Sequence, residues 1–186
     1  MSSVPRRRMT ADEFLLWVME RPEGERYELV RGEVLAMAPE KNRHNLVKLE
    51  TAIALRSSIR RAGLDCTVLG DGATVVIDKH SAYEPDVTVQ CGALDLDATT
   101  ADRPMVLVKV LSASTSRIDT GEKLEAYFRL PSVMHYLILN SDTQSVIHHA
   151  RAEDDTIVTR IVSDGELSLK PPGFRVKVLD LFPQGP

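Results

Sequence analysis

The chain has 186 residues, 43% of them hydrophobic, which suffices for one globular domain with a sizeable core and leaves little room for a second. A formal net charge of −4 and a pI near 5.7 exclude a global basic field for nucleic acid, so any such contact needs a local patch. No apolar run approaches the roughly 20 residues of a membrane span, the start has no signal-peptide character, and Cys66 and Cys91 lie outside zinc-site or disulfide-framework spacing, so a reducing cytoplasm with no membrane partner is expected.

Residues 1–9 are expected to form a flexible basic leader carrying Arg6, Arg7 and Arg8. Thr10 and Glu13 have capping-box spacing, and Phe14, Trp17 and Val18 follow at helical intervals, so a short helix starts at Thr10 and ends before Pro22. Arg26 to Val30 and Glu33 to Met37 alternate as strands around Arg31 and Gly32, giving an N-terminal β-hairpin that Pro39 ends. From about Arg43 to Ala62, the apolar residues Leu46, Val47, Leu49, Ile53 and Ile59 recur at helical spacing, with Gly63 placed as a C-terminal cap. His44, Lys48, Arg56, Arg60 and Arg61 add a basic stripe, through which His44, Lys48 and Arg56 could meet DNA; a solvated helix face explains the same pattern.

Three strands are expected next, at Cys66 to Leu69, Thr74 to Ile77 and Glu84 to Val89. A polar connection from Gly92 to Arg103 leads to a strand that Pro104 opens and that carries Lys109. Ser112 to Ser116 is a loop of small, mostly hydroxyl residues, followed by a helix from about Asp119 to Leu130 that Pro131 stops. His135 to Leu139 and Ser145 to His149 flank a turn, strands at Ile157 to Val162 and Leu167 to Leu169 follow, and Val176 to Phe182 closes the domain. The pattern predicts one α+β domain over residues 10–182 with a tail at 183–186.

Two of these strands carry charge where a buried strand should carry none. Asp86 and Lys109 must therefore neutralise one another or face a site. Alternation puts Glu84, Asp86 and Thr88 on one face of their strand, and Lys109 on a face with Leu107 and Leu111, so neighbouring strands would let Asp86 and Lys109 meet. Glu28 and Glu33 of the hairpin, with Glu84 and Asp86, are the carboxylates that could hold a hard cation such as Mg²⁺, which activates water and neutralises phosphate. Lys123 is the candidate for stabilising transition-state charge, with a surface ion pair to Asp119 as its plainer role. His148 and His149 point to opposite faces of a strand and read as ordinary sheet residues rather than a metal pair.

Taken in order, Tyr27 to Glu33, His44 opening a helix, Glu84-Pro85-Asp86-Val87, Val110-Leu111-Ser112, Ser114, Thr115, Asp119, Lys123, Tyr127 and the Tyr136 strand resemble the bacterial "putative restriction endonuclease" family of the PD-(D/E)XK nuclease superfamily. The resemblance spans about Thr10 to Phe182. It implies a restriction-endonuclease-like mixed β-sheet flanked by helices, with a metal-dependent phosphodiesterase site at the strand ends, DNA as substrate, Mg²⁺ or Mn²⁺ as cofactor and a homodimer. By the same resemblance Asp86 matches the metal-binding aspartate, Glu28 or Glu33 an acidic hairpin position that would share the metal, and Lys123 the lysine of the following helix. The departure is Lys109, which stands where the family's Glu-Val-Leu-Ser pattern places a second metal-binding carboxylate.

An ammonium at that position repels Mg²⁺ and pairs readily with Asp86. Glu84 is the available substitute, displaced by two residues. The sequence thus predicts a metal-dependent DNA endonuclease that is weakened or inactive, or else a catalytically degenerate binding or assembly protein with no cofactor. A third reading makes Lys109 a desolvated Schiff-base amine, without any surrounding motif for a carbonyl substrate.

Overall fold

The computed structural model describes residues 8–111 and 121–184. Most of the expected basic leader, the Ser112 to Ser116 loop, Asp119 and the last two residues of the tail lie outside the described residues.

Helix α1 (Ala11–Met19) begins at the expected capping box, in which Thr10 and Glu13 each satisfy the other's backbone amide. Strands β1 (Tyr27–Val30) and β2 (Glu33–Ala36) form the hairpin, with Arg31 and Gly32 both at positive φ in the turn. Helix α2 (Asn42–Arg61) ends before Gly63, whose φ of 66° lies in the left-handed region a C-terminal cap requires. Its buried side chains include Val47, Thr51, Ala54, Leu55, Ser58 and Ile59, a stripe at steps of three and four. Leu46, Leu49 and Ile53, expected on the core face, are instead exposed. Alanine, threonine and serine fill the buried stripe because small side chains let the helix lie close to the sheet, a role that hydrophobicity alone does not signal.

Strands β3 (Cys66–Leu69), β4 (Val75–Asp78), β5 (Ser81–Tyr83), β6 (Val87–Cys91) and β7 (Pro104–Val110) follow, then α3 (Glu122–Phe128), β8 (His135–Asn140), β9 (Ser145–Arg151), β10 (Ile157–Val162), β11 (Glu166–Leu169), β12 (Phe174–Lys177) and a 3-10 turn at Leu179–Leu181. The strands form a mixed six-stranded sheet in the order β10-β9-β8-β7-β6-β3, with β7 and β8 parallel, an antiparallel four-stranded sheet in the order β2-β1-β5-β4, and a two-stranded antiparallel pair of β11 and β12. This is the α+β architecture of a mixed sheet flanked by helices that the sequence predicts. Val87, Val89, Val106, Val108 and Val110 share a core with α2, whereas Leu107, Tyr136 and Ile138 share one with Ala126 and Tyr127 of α3.

Two expectations change. The strand expected from Glu84 to Val89 begins only at Val87, as β6 of the large sheet, and Glu84-Pro85-Asp86 is a buried passage into it from β5 of the small sheet. Pro85 has no amide to donate to either ladder, which suits a crossing between sheets. Cys66 and Cys91 are joined as a disulfide, although their spacing in sequence suggested no such framework. The antiparallel register of β3 on β6 sets them directly opposite one another, a relation that residue spacing does not report.

Candidate functional site

The passage from β5 to β6 carries its two acids to separate partners. Asp86 donates its amide to the Val108 carbonyl, which holds it opposite the end of β7. Its side chain is 1% exposed, so its charge must be met inside the protein. Lys109 Nζ donates to Asp86 Oδ1 at 3.0 Å, and the Val110 amide donates to Oδ2 at 2.6 Å. Burial is the largest influence on Asp86 and favours the neutral acid, yet His44, Lys109 and the Val110 amide together outweigh it and hold the carboxyl well below the usual carboxylate range.

Glu84, aligned with Asp86 by simple strand alternation, turns to Arg26 instead, with Arg26 Nε 3.0 Å from Glu84 Oε2. The residues are in a crossing rather than a strand, so the two-residue period does not apply. Glu84 therefore does not stand in for the carboxylate absent at position 109. Burial raises its pKa, and Arg26 opposes that shift.

The two hairpin acids also part company. Glu28 is buried, accepts the Glu84 amide at 3.0 Å, and is gripped through both oxygens by Lys123 Nζ at 2.9 and 2.8 Å. Lys123 is 3% exposed and lies 5.5 Å from the centre of the Tyr83 ring, so the surface position considered for it is corrected: α3 lies across the sheet and turns this lysine inward. Glu33 is exposed at the turn end of β2. Asp86, Glu28 and Glu33 thus do not converge as one set of metal ligands.

The basic stripe expected along α2 is likewise divided. Arg56 is exposed, but His44 and Lys48 are 9% and 8% exposed and face acids rather than solvent. Lys48 bonds Glu40 Oε2 and Asp71 Oδ2, each at 2.5 Å. Arg26 Nη1 reaches the same two acids, at 3.3 and 2.7 Å. Desolvation is the largest influence on Asp71 and opposes ionisation, yet Lys48 and Arg26 lower its pKa. His44 Nε2 lies 3.4 Å from Asp86 Oδ2 and 3.6 Å from Glu40 Oε1, without a well-aligned hydrogen bond to either. These links tie α2, the loop before it, the β3–β4 turn and the sheet passage into one network that runs from buried Asp86 out to exposed Asp71. An open cleft of about 580 Å³, lined in part by Arg26, Glu40, Asn45 and Asp71, borders it.

Glu40, Asp71 and Arg26 escaped sequence reasoning because each lies outside the matched motifs and becomes a partner only when the two sheets meet. The one available signal was at Lys48, four residues past His44 on a single helix face, which predicts that the two share an environment. Among the described residues, His148 and His149 do take opposite faces: His148 Nε2 lies 3.0 Å from His135 Nδ1, while His149 Nδ1 lies 2.7 Å from the Thr159 hydroxyl. No described helix is long and apolar enough to cross a membrane.

A family model described as "Putative restriction endonuclease", Uma2, matches residues 11–181. The chain is 26% identical over 179 residues to an uncharacterized protein of Synechocystis sp., covering 95% of this chain and 92% of the relative. Its fold is similar to the crystal structure of a putative nuclease belonging to DUF820 from Anabaena variabilis, with a TM-score of 0.72 at 15% identity, over 94% of this chain and 97% of that one.

Proposed function

Since the chain belongs to the Uma2 family, described as "Putative restriction endonuclease", we propose that it is a nuclease-fold protein whose metal-dependent hydrolysis of DNA is weakened or lost through one residue, Lys109. The observation that carries this reading is the 3.0 Å bond from buried Lys109 to Asp86. A Mg²⁺ or Mn²⁺ ion held as the family resemblance implies would need carboxylates at both positions. Here the ammonium supplies the charge that such an ion would bring to Asp86 and offers no lone pair in return. The residues present do not fit that centre.

DNA remains the partner in this reading, supported by family membership, and a homodimer remains the expected assembly; the Cys66–Cys91 disulfide runs against the reducing cytoplasm expected from the sequence. Lys123 and Glu28 retain a buried lysine and carboxylate beside the passage. Their mutual pairing is compatible with a framework that has kept its charges and lost its ion.

Supercoiled and linear DNA incubated with Mg²⁺ or Mn²⁺ provides the test. The protein should show little or no metal-dependent cleavage, and Lys109→Glu should gain cleavage that disappears again when Asp86→Ala is added. Equal cleavage by the protein and by Lys109→Glu would sink the reading. Fluorescence anisotropy with labelled duplexes separates a degenerate DNA-binding protein, which binds in a salt-sensitive way, from an assembly module that does not bind.

A further inference from the structure

We propose that β10 is the surface through which two copies of this chain pair, edge to edge and antiparallel, so that one sheet runs through both. This is the homodimer of the reading above, on which it rests and which names no surface; it takes nothing from the loss of cleavage at Lys109.

Strand β10 is the outer strand of the large sheet, paired with β9 on one side and, among the described residues, with nothing on the other. Both of its faces are open: Ile157, Val158 and Ile161 are 36, 42 and 73% exposed, and Val162 alone is half-buried. Proteins blunt such an edge with proline, a bulge, charge or brevity, because its unpaired backbone groups are a template for another strand. β10 has no proline, keeps an unbroken register of all six residues against β9, and carries a single charge, Arg160. The opposite edge, β3, has four half-buried residues and is tied to β6 by the disulfide.

The phase of the hairpin decides which backbone groups point outward. The Ala152 amide donates to the Thr156 carbonyl at 2.8 Å, so Thr156 faces β9, and alternation turns Val158, Arg160 and Val162 the same way. The N–H and C=O groups of Ile157, Thr159 and Ile161 therefore point away from the sheet. These three residues also share a face, with Thr159 beside His149 and Ile161 beside Ile147. A second copy matches them in one antiparallel register: Thr159 opposite Thr159 of the partner subunit, Ile157 opposite Ile161 of the partner subunit, and Arg160 opposite Val158 of the partner subunit. Each outward residue then bonds through both backbone groups, and the isoleucines cover one another. Sliding by two residues in one direction sets Arg160 against Arg160 of the partner subunit at the close, non-hydrogen-bonded spacing. Sliding in the other direction sets Ile161 against Asp155 of the partner subunit. Charge thus selects the register, and the contact is the same seen from either copy, as a two-fold dimer requires.

The test is sedimentation equilibrium of the full chain over a dilution series. An edge of six residues makes a smaller interface than a standard complex, so the mass should climb from 20.7 kDa in dilute solution toward twice that on concentration. Thr159→Pro removes an outward N–H and leaves the ladder to β9 intact, and Ile161→Lys sets a charge against Ile157 of the partner subunit. Each, checked for folding by circular dichroism, should weaken association by about 10-fold or more, because a two-fold contact is struck twice. Thr159→Cys, which faces its own copy, should join two chains covalently on mild oxidation, whereas Glu153→Cys in the β9–β10 turn should not. The mass of one chain at every concentration would overturn the proposal and leave the reading of Lys109 standing. Undiminished association of folded Thr159→Pro and Ile161→Lys would also overturn it, since the dimer would then use another surface. Metal-dependent cleavage by the unsubstituted protein would instead overturn the nuclease reading and leave these masses unchanged.

Discussion

Lys109 and Asp86 stand opposite one another on β7 and the passage into β6, joined at 3.0 Å and almost wholly removed from solvent. Removing one partner of such a pair leaves the other charge buried and unmatched. Lys109→Met should therefore cost about 3–5 kcal/mol in urea-melt stability, and Lys109→Met with Asp86→Asn should cost less than the two single losses summed. Additive losses in the double-mutant cycle would show that the pair is not coupled.

Lys123 and Glu28 give a graded version of the same experiment. Lys123→Met strands a buried carboxylate and should destabilise by about 3 kcal/mol. Glu28→Gln keeps an oxygen that can accept the Glu84 amide, so its cost should be smaller than that of Glu28→Met. Equilibrium denaturation of the three variants checks this order.

His135 and His148 make stability depend on pH. Burial is the first cause of both shifts and pushes each pKa down to about 4, with the Pro171 carbonyl opposing the shift at His135 and the charge of His135 adding to it at His148. In the unfolded chain both titrate near 6.5 and so bind protons that the fold refuses. Their contribution is present above about pH 6.5 and is lost as pH falls toward 4, at up to about 1.4 kcal/mol per pH unit for each histidine. Urea midpoints measured from pH 7.5 to 4 should fall, and His148→Leu should flatten that dependence.

Helix α2 offers a check on packing. Leu55 is fully buried and Leu49 is 56% exposed. Leu55→Ala should cost about 2–5 kcal/mol, whereas Leu49→Ala should change stability by no more than about 0.5 kcal/mol. Thermal melts of the two variants distinguish this burial from the face that apolar spacing alone suggests.

Much of the chain was legible because its signals are local. The Thr10 and Glu13 capping box, the Arg31-Gly32 turn and the Gly63 cap each depend on a few adjacent residues, and each appears where the sequence puts it. The buried face of α2 was less legible, because Thr51, Ala54 and Ser58 are chosen for size against the sheet rather than for hydrophobicity. The passage at Glu84 to Asp86 was read as strand for a related reason: the β-branched residues Val87 to Val89 follow it directly, and a change of sheet leaves no mark on the sequence.

By itself the sequence determined that Asp86 and Lys109 are charges placed among core-forming residues, and that such charges must be paired or bound. The physical reason is the cost of burying an unmatched ion, which holds in any fold. Only the tertiary structure decided which partner each received, because Asp86, Lys109, His44 and Glu40 approach one another through sheet register and helix docking rather than through neighbouring positions in the chain. It also sent Glu84 to Arg26 and Glu28 to Lys123, assignments fixed by where two sheets cross.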